Sequence, residues 1–333
     1  MVICNRCILP ATFPNIQFDE NGICNHCRRE EQASDKKRVR REEYRQKLDD
    51  LIFSIKGKFP TYDAVMAYSG GKDSTYTLKI LKEHYNLRIL AFTLDNHFVS
   101  PMAIENIELV CDHLGVDQIS FRPSWPFMKR VFTVTAREDI FSPATLLRAS
   151  AICTACIGIV KSLVLRTALE ESIPLVAFGW SPGQAPIQSA IMRTNPGQVR
   201  QNQKVLKAAF SSPPLTDADR YFIPDTYYDI HKQDFPHNIH PLAFFDYDEE
   251  TIRLEIEGIG WKLPANTDTN STNCLLNAFA NECHLSRHGF HPYVWEIANM
   301  VRQGVMSRSD GIEKIYAPQD PVMVQYAQER LGL

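Results

Sequence analysis

Ser69, Gly70, Gly71, Lys72, Asp73 and Ser74 stand in one run, and their residue types suit a polyphosphate. Glycines let the backbone approach an anion closely, exposed N–H groups point at its oxygens, and a helix starting just behind adds a favourable dipole. Ser69, Lys72 and Ser74 add side-chain donors. Asp73 would be repelled by phosphate unless a cation bridged the two, which points to Mg2+.

The nine cysteines carry a second kind of chemistry. Cys4-x2-Cys7 and Cys24-x2-Cys27 are two knuckles around a turn at Asn21-Gly22, the pattern of a zinc ribbon. Four thiolates leave no open position on the ion, so its role is structural; His26 is a substitute ligand that four thiolates make unnecessary. Cys153-x2-Cys156 opens a predicted helix, where the dipole is expected to lower a thiol pKa, and Cys274 is a candidate third partner. Three thiolates would leave one iron of a 4Fe–4S cluster open; a second zinc, a redox dithiol and plain packing are the alternatives. Cys111 and Cys283 fall in apolar helical patterns and read as packing. Arg302 and Arg308 read as ordinary helical ion pairs, and Trp180, Trp261 and Trp295 as packing.

These residues need a frame. The apolar stretch 62–68 reads as a buried strand leading into the glycine turn, and strand and helix patterns alternate to about residue 182. That order predicts an α/β fold with a doubly wound parallel sheet, whose ligands sit beyond the carboxyl ends of the strands. We divide the chain into a zinc ribbon (1–29), a charged amphipathic linker helix (30–56), an ATP-binding domain (57–184), a weakly periodic insertion or lid (185–247) and a mostly helical C-terminal region (248–333). A net charge of −3 argues against a dedicated nucleic-acid binder. With neither a basic-then-apolar leader nor an apolar run near the ~20 residues that span a bilayer, a cytoplasmic protein without membrane contact is expected.

The run Ser69–Ser74 is not the GxxxxGK(S/T) loop but resembles the SGGxDS signature of the PP-loop ATP pyrophosphatases, which implies a fold of that type. The resemblance further implies an enzyme that splits ATP between its α and β phosphates and adenylates a carbonyl-type oxygen. It puts Lys72 and Asp73 in catalysis, Ser69, Gly70, Gly71, Asp73 and Ser74 at the phosphates, and Thr93, Asp95 and Gly179 at strand ends that touch ATP. Two branches fit. The inner Cys153-x2-Cys156 is similar to tRNA thiolases, in which a cysteine-bound iron–sulfur cluster delivers sulfur; Ile157–Lys161 stands where that family has an arginine-rich stretch. Cys4–Cys27 and Gly289–Arg308 resemble N-acetyl sugar amidotransferases, which imply ammonia from a partner glutaminase. Sulfur replacement is the leading expectation and nitrogen replacement the second, on a small-molecule or sugar substrate ahead of RNA. A sulfur donor or glutaminase partner and a homodimer stay open. A nucleotide-binding regulatory module is the third class, which the pair Lys72 and Asp73 argues against.

Overall fold

The computed structural model describes all residues except 1, 32, 33, 211–217, 266 and 269. Its elements run α1 (Asn25–Glu31), α2 (Ser34–Ile55), β1 (Ala64–Ala67), α3 (Lys72–Lys79), β2 (Ile89–Leu94), α4 (Pro101–Leu114) and β3 (Asp117–Phe121). Next come α5 (Trp125–Arg137), α6 (Pro143–Leu146), α7 (Ala151–Glu170), β4 (Leu175–Phe178), β5 (Ile191–Arg193), α8 (Pro196–Phe210), α9 (Tyr227–Ile230) and β6 (His237–Ile239). The chain ends in α10 (Glu249–Glu257), α11 (Asn277–His288), α12 (Val294–Gln303), α13 (Arg308–Tyr316) and α14 (Pro321–Leu331).

The strands form one sheet in the order β3-β2-β1-β4-β6-β5, parallel throughout except for β5. The fold is therefore the α/β, doubly wound type that the sequence predicts. Side chains alternate across a strand, so the central strands β1, β2 and β4 each feed two cores. Val65, Leu90 and Val176 meet α5 and α7 on one face. Ala64, Met66, Ile89 and Leu175 meet α3, α4 and the α2 residues Leu48 and Ile52 on the other. A third core joins the cysteine module to α12 and α13 through Ile8, Phe13, Ile297 and Ile315.

Strand order reverses between β1 and β4, whose ends are in register at Ala67 and Phe178. The crevice above that pair is the ligand position of such sheets, and the glycine loop fills one side of it. Gly70 sits there at φ +72°, where a Cβ would lie 2.4 Å from the Ala103 carbonyl oxygen on α4.

Two expectations are corrected. Residues 185–247 are not simply a cover over the site: β5 and β6 widen the sheet, and Leu206 and Phe210 of α8 pack into the α5–α7 core. Short strands of three residues carry too little periodicity to be read from sequence. One helix, α7, is also long and apolar enough by length and composition to cross a bilayer, against the expectation that no run came near. It is the central helix of the fold, and its apolar length follows from packing on several sides at once.

Gly70→Ala combines a left-handed backbone with a clash against main chain. We expect a loss of at least about 1–3 kcal/mol in stability, measured by urea unfolding; an unchanged midpoint would contradict this packing.

Candidate active site

The loop after β1 is held from three directions. Gly71, in extended conformation, precedes the first turn of α3. The Ser69 and Ser74 hydroxyls lie 3.0 Å apart, and Ser74 also donates to the Gly71 carbonyl at 2.9 Å. Trp261, only 1% exposed, donates its indole N–H to the Gly70 carbonyl at 2.9 Å. The Thr272 hydroxyl accepts from the Lys72 N–H at 3.1 Å. Gly179, just past β4, packs where a Cβ would fall 2.5 Å from the Ser74 Cα. Only a glycine lets β4 end against the start of α3.

Lys72 points inward. Its ammonium reaches Asp73 Oδ1 at 2.7 Å, the Tyr247 hydroxyl at 2.6 Å and Glu249 Oε1 at 3.4 Å. Tyr247 donates to the same Asp73 oxygen at 2.9 Å, and Lys314 meets the other Glu249 oxygen at 3.1 Å. Burial pulls the Lys72 pKa down, but the Asp73 and Glu249 charges outweigh it and the net shift is upward.

A cavity of about 300 Å3 opens beside this network. Its wall includes Ser69, Gly71, Lys72, Asp73, Ser74 and Gly179, and also Cys153, Cys156 and Cys274. The three inner cysteines come from two distant parts of the chain: α7 carries Cys153 and Cys156, and a short bridge between Val99 and Cys274 places the third. Asn96 Nδ2 reaches Cys156 Sγ at 3.5 Å and Cys274 Sγ at 3.7 Å. The Cys153 thiol donates to Asn277 Oδ1 at 3.7 Å, and Tyr293 donates to the same oxygen at 3.1 Å.

The expected acidification of these thiols is not found. Burial pushes Cys153 and Cys156 up to about 12, outweighing hydrogen bonds from Ser150 and Asn96. Desolvation inside the packed fold exceeds the effect of one helix end. Thr93 and Asp95, expected at the nucleotide, turn their side chains elsewhere: Thr93 donates to the Tyr68 carbonyl at 2.8 Å, and Asp95 pairs with Arg122 at 3.3 Å. Asn96 is the residue of that strand end that lines the cavity.

The outer cysteines form a compact set. Cys4 and Cys27 sulfurs are 3.8 Å apart, those of Cys7 and Cys24 3.7 Å, and all four lie within 4.8 Å of one another. That spacing fits one tetrahedral ion with ~2.3 Å metal–sulfur bonds. Among the described residues no second group of three ligands closes so tightly. Arg308 donates to the Cys4 and Cys7 carbonyls, each at 2.9 Å, and Arg302 reaches Cys7 Sγ at 3.4 Å. Both arginines therefore clamp the cysteine module, correcting the reading of ordinary ion pairs. Trp295 stacks on Phe13 at 5.5 Å, so the module also grips α12.

Glu296, next on α12, faces the opposite way, into the cavity. Its Oε1 accepts from the Ser181 hydroxyl at 2.5 Å, and burial, with Asp73 nearby, raises its pKa to about 7. Sequence reading missed Glu296, Tyr247, Glu249 and Thr272, which lie far along the chain from the glycine loop and have no spacing that marks them.

No protein-family model matches this chain. An uncharacterized protein of Methanocaldococcus jannaschii is 23% identical over 292 residues, spanning 88% of this chain and 86% of that protein. Among solved structures, the U34-tRNA thiolase NcsA from Methanococcus maripaludis, with its 4Fe–4S cluster, aligns over 92% of this chain and 88% of its own at 14% identity and a TM-score of 0.37.

The raised Glu296 pKa has a stability consequence. The fold favours the protonated carboxyl, so this contribution is complete below the ordinary carboxylate range and is lost as pH rises through about 7. Glu296→Gln is expected to be more stable than the natural protein at pH 8, by up to about 3 kcal/mol, with the gap closing near pH 5. Urea unfolding across that range checks it; a pH-independent difference would count against a buried, raised carboxyl.

Proposed function

We propose that this protein is an ATP-dependent adenylating enzyme of the PP-loop type that replaces a carbonyl-type oxygen of its substrate with sulfur. One observation carries the reading: the Ser69–Ser74 loop and Cys153, Cys156 and Cys274 line the same cavity. Activation of an oxygen and delivery of its replacement would then occur within one enclosed space.

In this reading Ser69, Gly70, Gly71 and Ser74 hold the phosphates, and Asp73 holds Mg2+. The substrate oxygen attacks the α-phosphorus, and the bond to the β-phosphate oxygen breaks. Pyrophosphate leaves with its charge met by Lys72, and Mg2+ held at Asp73 would supply further neutralisation. Binding of MgATP must release Lys72 from Tyr247 and Glu249, and Lys314 keeps Glu249 neutralised when that happens. Cys4, Cys7, Cys24 and Cys27 hold structural zinc. Cys153, Cys156 and Cys274 would hold a 4Fe–4S cluster, which when bound would supply the sulfur. Asn96, bonded to two of these sulfurs, and Asn277, bonded to the third, orient the thiols. The acceptor is a small molecule or sugar ahead of RNA, a sulfur donor is the partner, and a reducing, cytoplasmic setting suits seven cysteines given to metal.

Iron, acid-labile sulfide and zinc on anaerobically purified protein test the reading. About four irons and one zinc per chain are expected, with Cys153→Ala losing the iron and keeping the zinc. Zinc alone would overturn sulfur transfer and turn the reading to nitrogen from ammonia, with a glutaminase as partner. Asp73→Asn is expected to reduce pyrophosphate release by about a hundredfold or more; full release by that variant would remove the loop from catalysis.

A further inference from the structure

Three carboxylates line the cavity: Asp73, Glu249 and Glu296. The first two are matched by cations, Asp73 by Lys72 at 2.7 Å and Glu249 by Lys72 and Lys314 at 3.4 and 3.1 Å. Glu296 has no cation within ion-pair distance among the described residues. Its neighbours are hydroxyl and amide groups of the loop after β4, Ser181 at 2.5 Å and Gln184. It is 9% exposed, and its backbone is fixed against the same loop, since a Cβ at Gly183 would come within 2.3 Å of the Glu296 carbonyl. Asn299, one turn on, donates to the Gly183 carbonyl at 2.9 Å. The module that holds α12 from behind and the loop that holds it from the front thus present one unneutralised carboxylate to the cavity.

Such a group is costly to bury, and neither phosphate binding nor the cysteine site uses it. A carboxylate beside phosphates repels them unless a cation bridges the two, and in the reading above Asp73 already has that place. The displacement step, however, must dispose of a proton. We propose that Glu296 is the proton acceptor when the nucleophile displaces AMP. The inference rests on the adenylation reading above.

The step balances as an acyl-type substitution. The sulfur of hydrosulfide forms a bond to the activated carbon. The carbon–oxygen bond to AMP breaks, and AMP leaves with the electron pair. The S–H proton passes to the Glu296 carboxylate, leaving a thiocarbonyl product. Nothing is oxidised or reduced. The groups facing Glu296 are Lys72 and Asp73 of α3, Tyr247 and Glu249 ahead of and within α10, and Tyr293 ahead of α12. Both tyrosines are held well above their ordinary pKa by burial first, so they stay neutral where Glu296 titrates. A base half-ionised near pH 7 is well matched to this work.

The two half-reactions separate the test. Isotope exchange between pyrophosphate and ATP reports adenylation, and AMP release after sodium sulfide reports displacement. Both are run with MgATP on the iron-loaded protein, over a panel of acetamido nucleotide sugars and unmodified transfer RNA. Glu296→Gln is expected to keep exchange within about threefold while sulfide-driven AMP release falls by about a hundredfold or more. In the natural protein that release should rise with pH through about 7; in the variant the rise should vanish, and Glu296→Asp should restore it in part. Retained exchange also shows that the variant folds. Equal loss of both half-reactions, or an unchanged pH profile, would overturn the proposal. No exchange by the natural protein with any acceptor would overturn the adenylation reading, and this proposal with it.

Discussion

The close packing of backbone at the β1–α3 turn is the constraint on which the rest of the site depends. Gly70 lies against α4 and Gly179 against the first turn of α3, each at distances no side chain tolerates. Because these approaches are so tight, the loop cannot collapse into the crevice, and its N–H groups keep their aim. Trp261 and Thr272 complete the grip with one hydrogen bond each to the loop backbone. A loop held this tightly loses little freedom when a ligand binds.

Charge is arranged with equal economy around that cradle. Lys72 is shared among Asp73, Tyr247 and Glu249, and Lys314 stands behind Glu249. Two cations and two carboxylates therefore form one network, in which the counter-charge of Lys72 has a second partner in Lys314. Glu296 is outside this set and keeps a high proton affinity because burial is uncompensated. Of the three carboxylates in the cavity, two are paired with lysines and the third is buried without a cation.

The cysteine module acts at a distance from this chemistry. Arg302 and Arg308 reach from α12 and α13 to Cys7 and Cys4, and Phe13 stacks on Trp295. The module's four cysteine sulfurs lie within 4.8 Å of one another, so the helix presenting Glu296 is anchored to a compact module rather than to solvent. Residues 8–27 and 290–316 contribute side chains to this one core.

Some of this was legible in the residues alone. The glycine loop, the strand before it and the Cys4–Cys27 knuckles depend on local spacing, and local spacing is what a chain displays directly; the alternating pattern likewise declared the parallel sheet. Other features depended on which distant segments meet. The three-residue strands β5 and β6 are too short for periodicity, and the apolar length of α7 reflects burial on several sides. The Cys153 thiol was expected to be acidic from its place at a helix start, but desolvation is set by the surrounding fold and reversed the sign. Tyr247, Glu249 and Glu296 carry no motif, because their chemistry comes from being buried beside Lys72. The sequence by itself thus determined the cradle and the metal knuckles, whose partners are neighbours along the chain. Only the tertiary structure decided which charges are paired and which is left alone, because burial and distance across the fold set proton affinity.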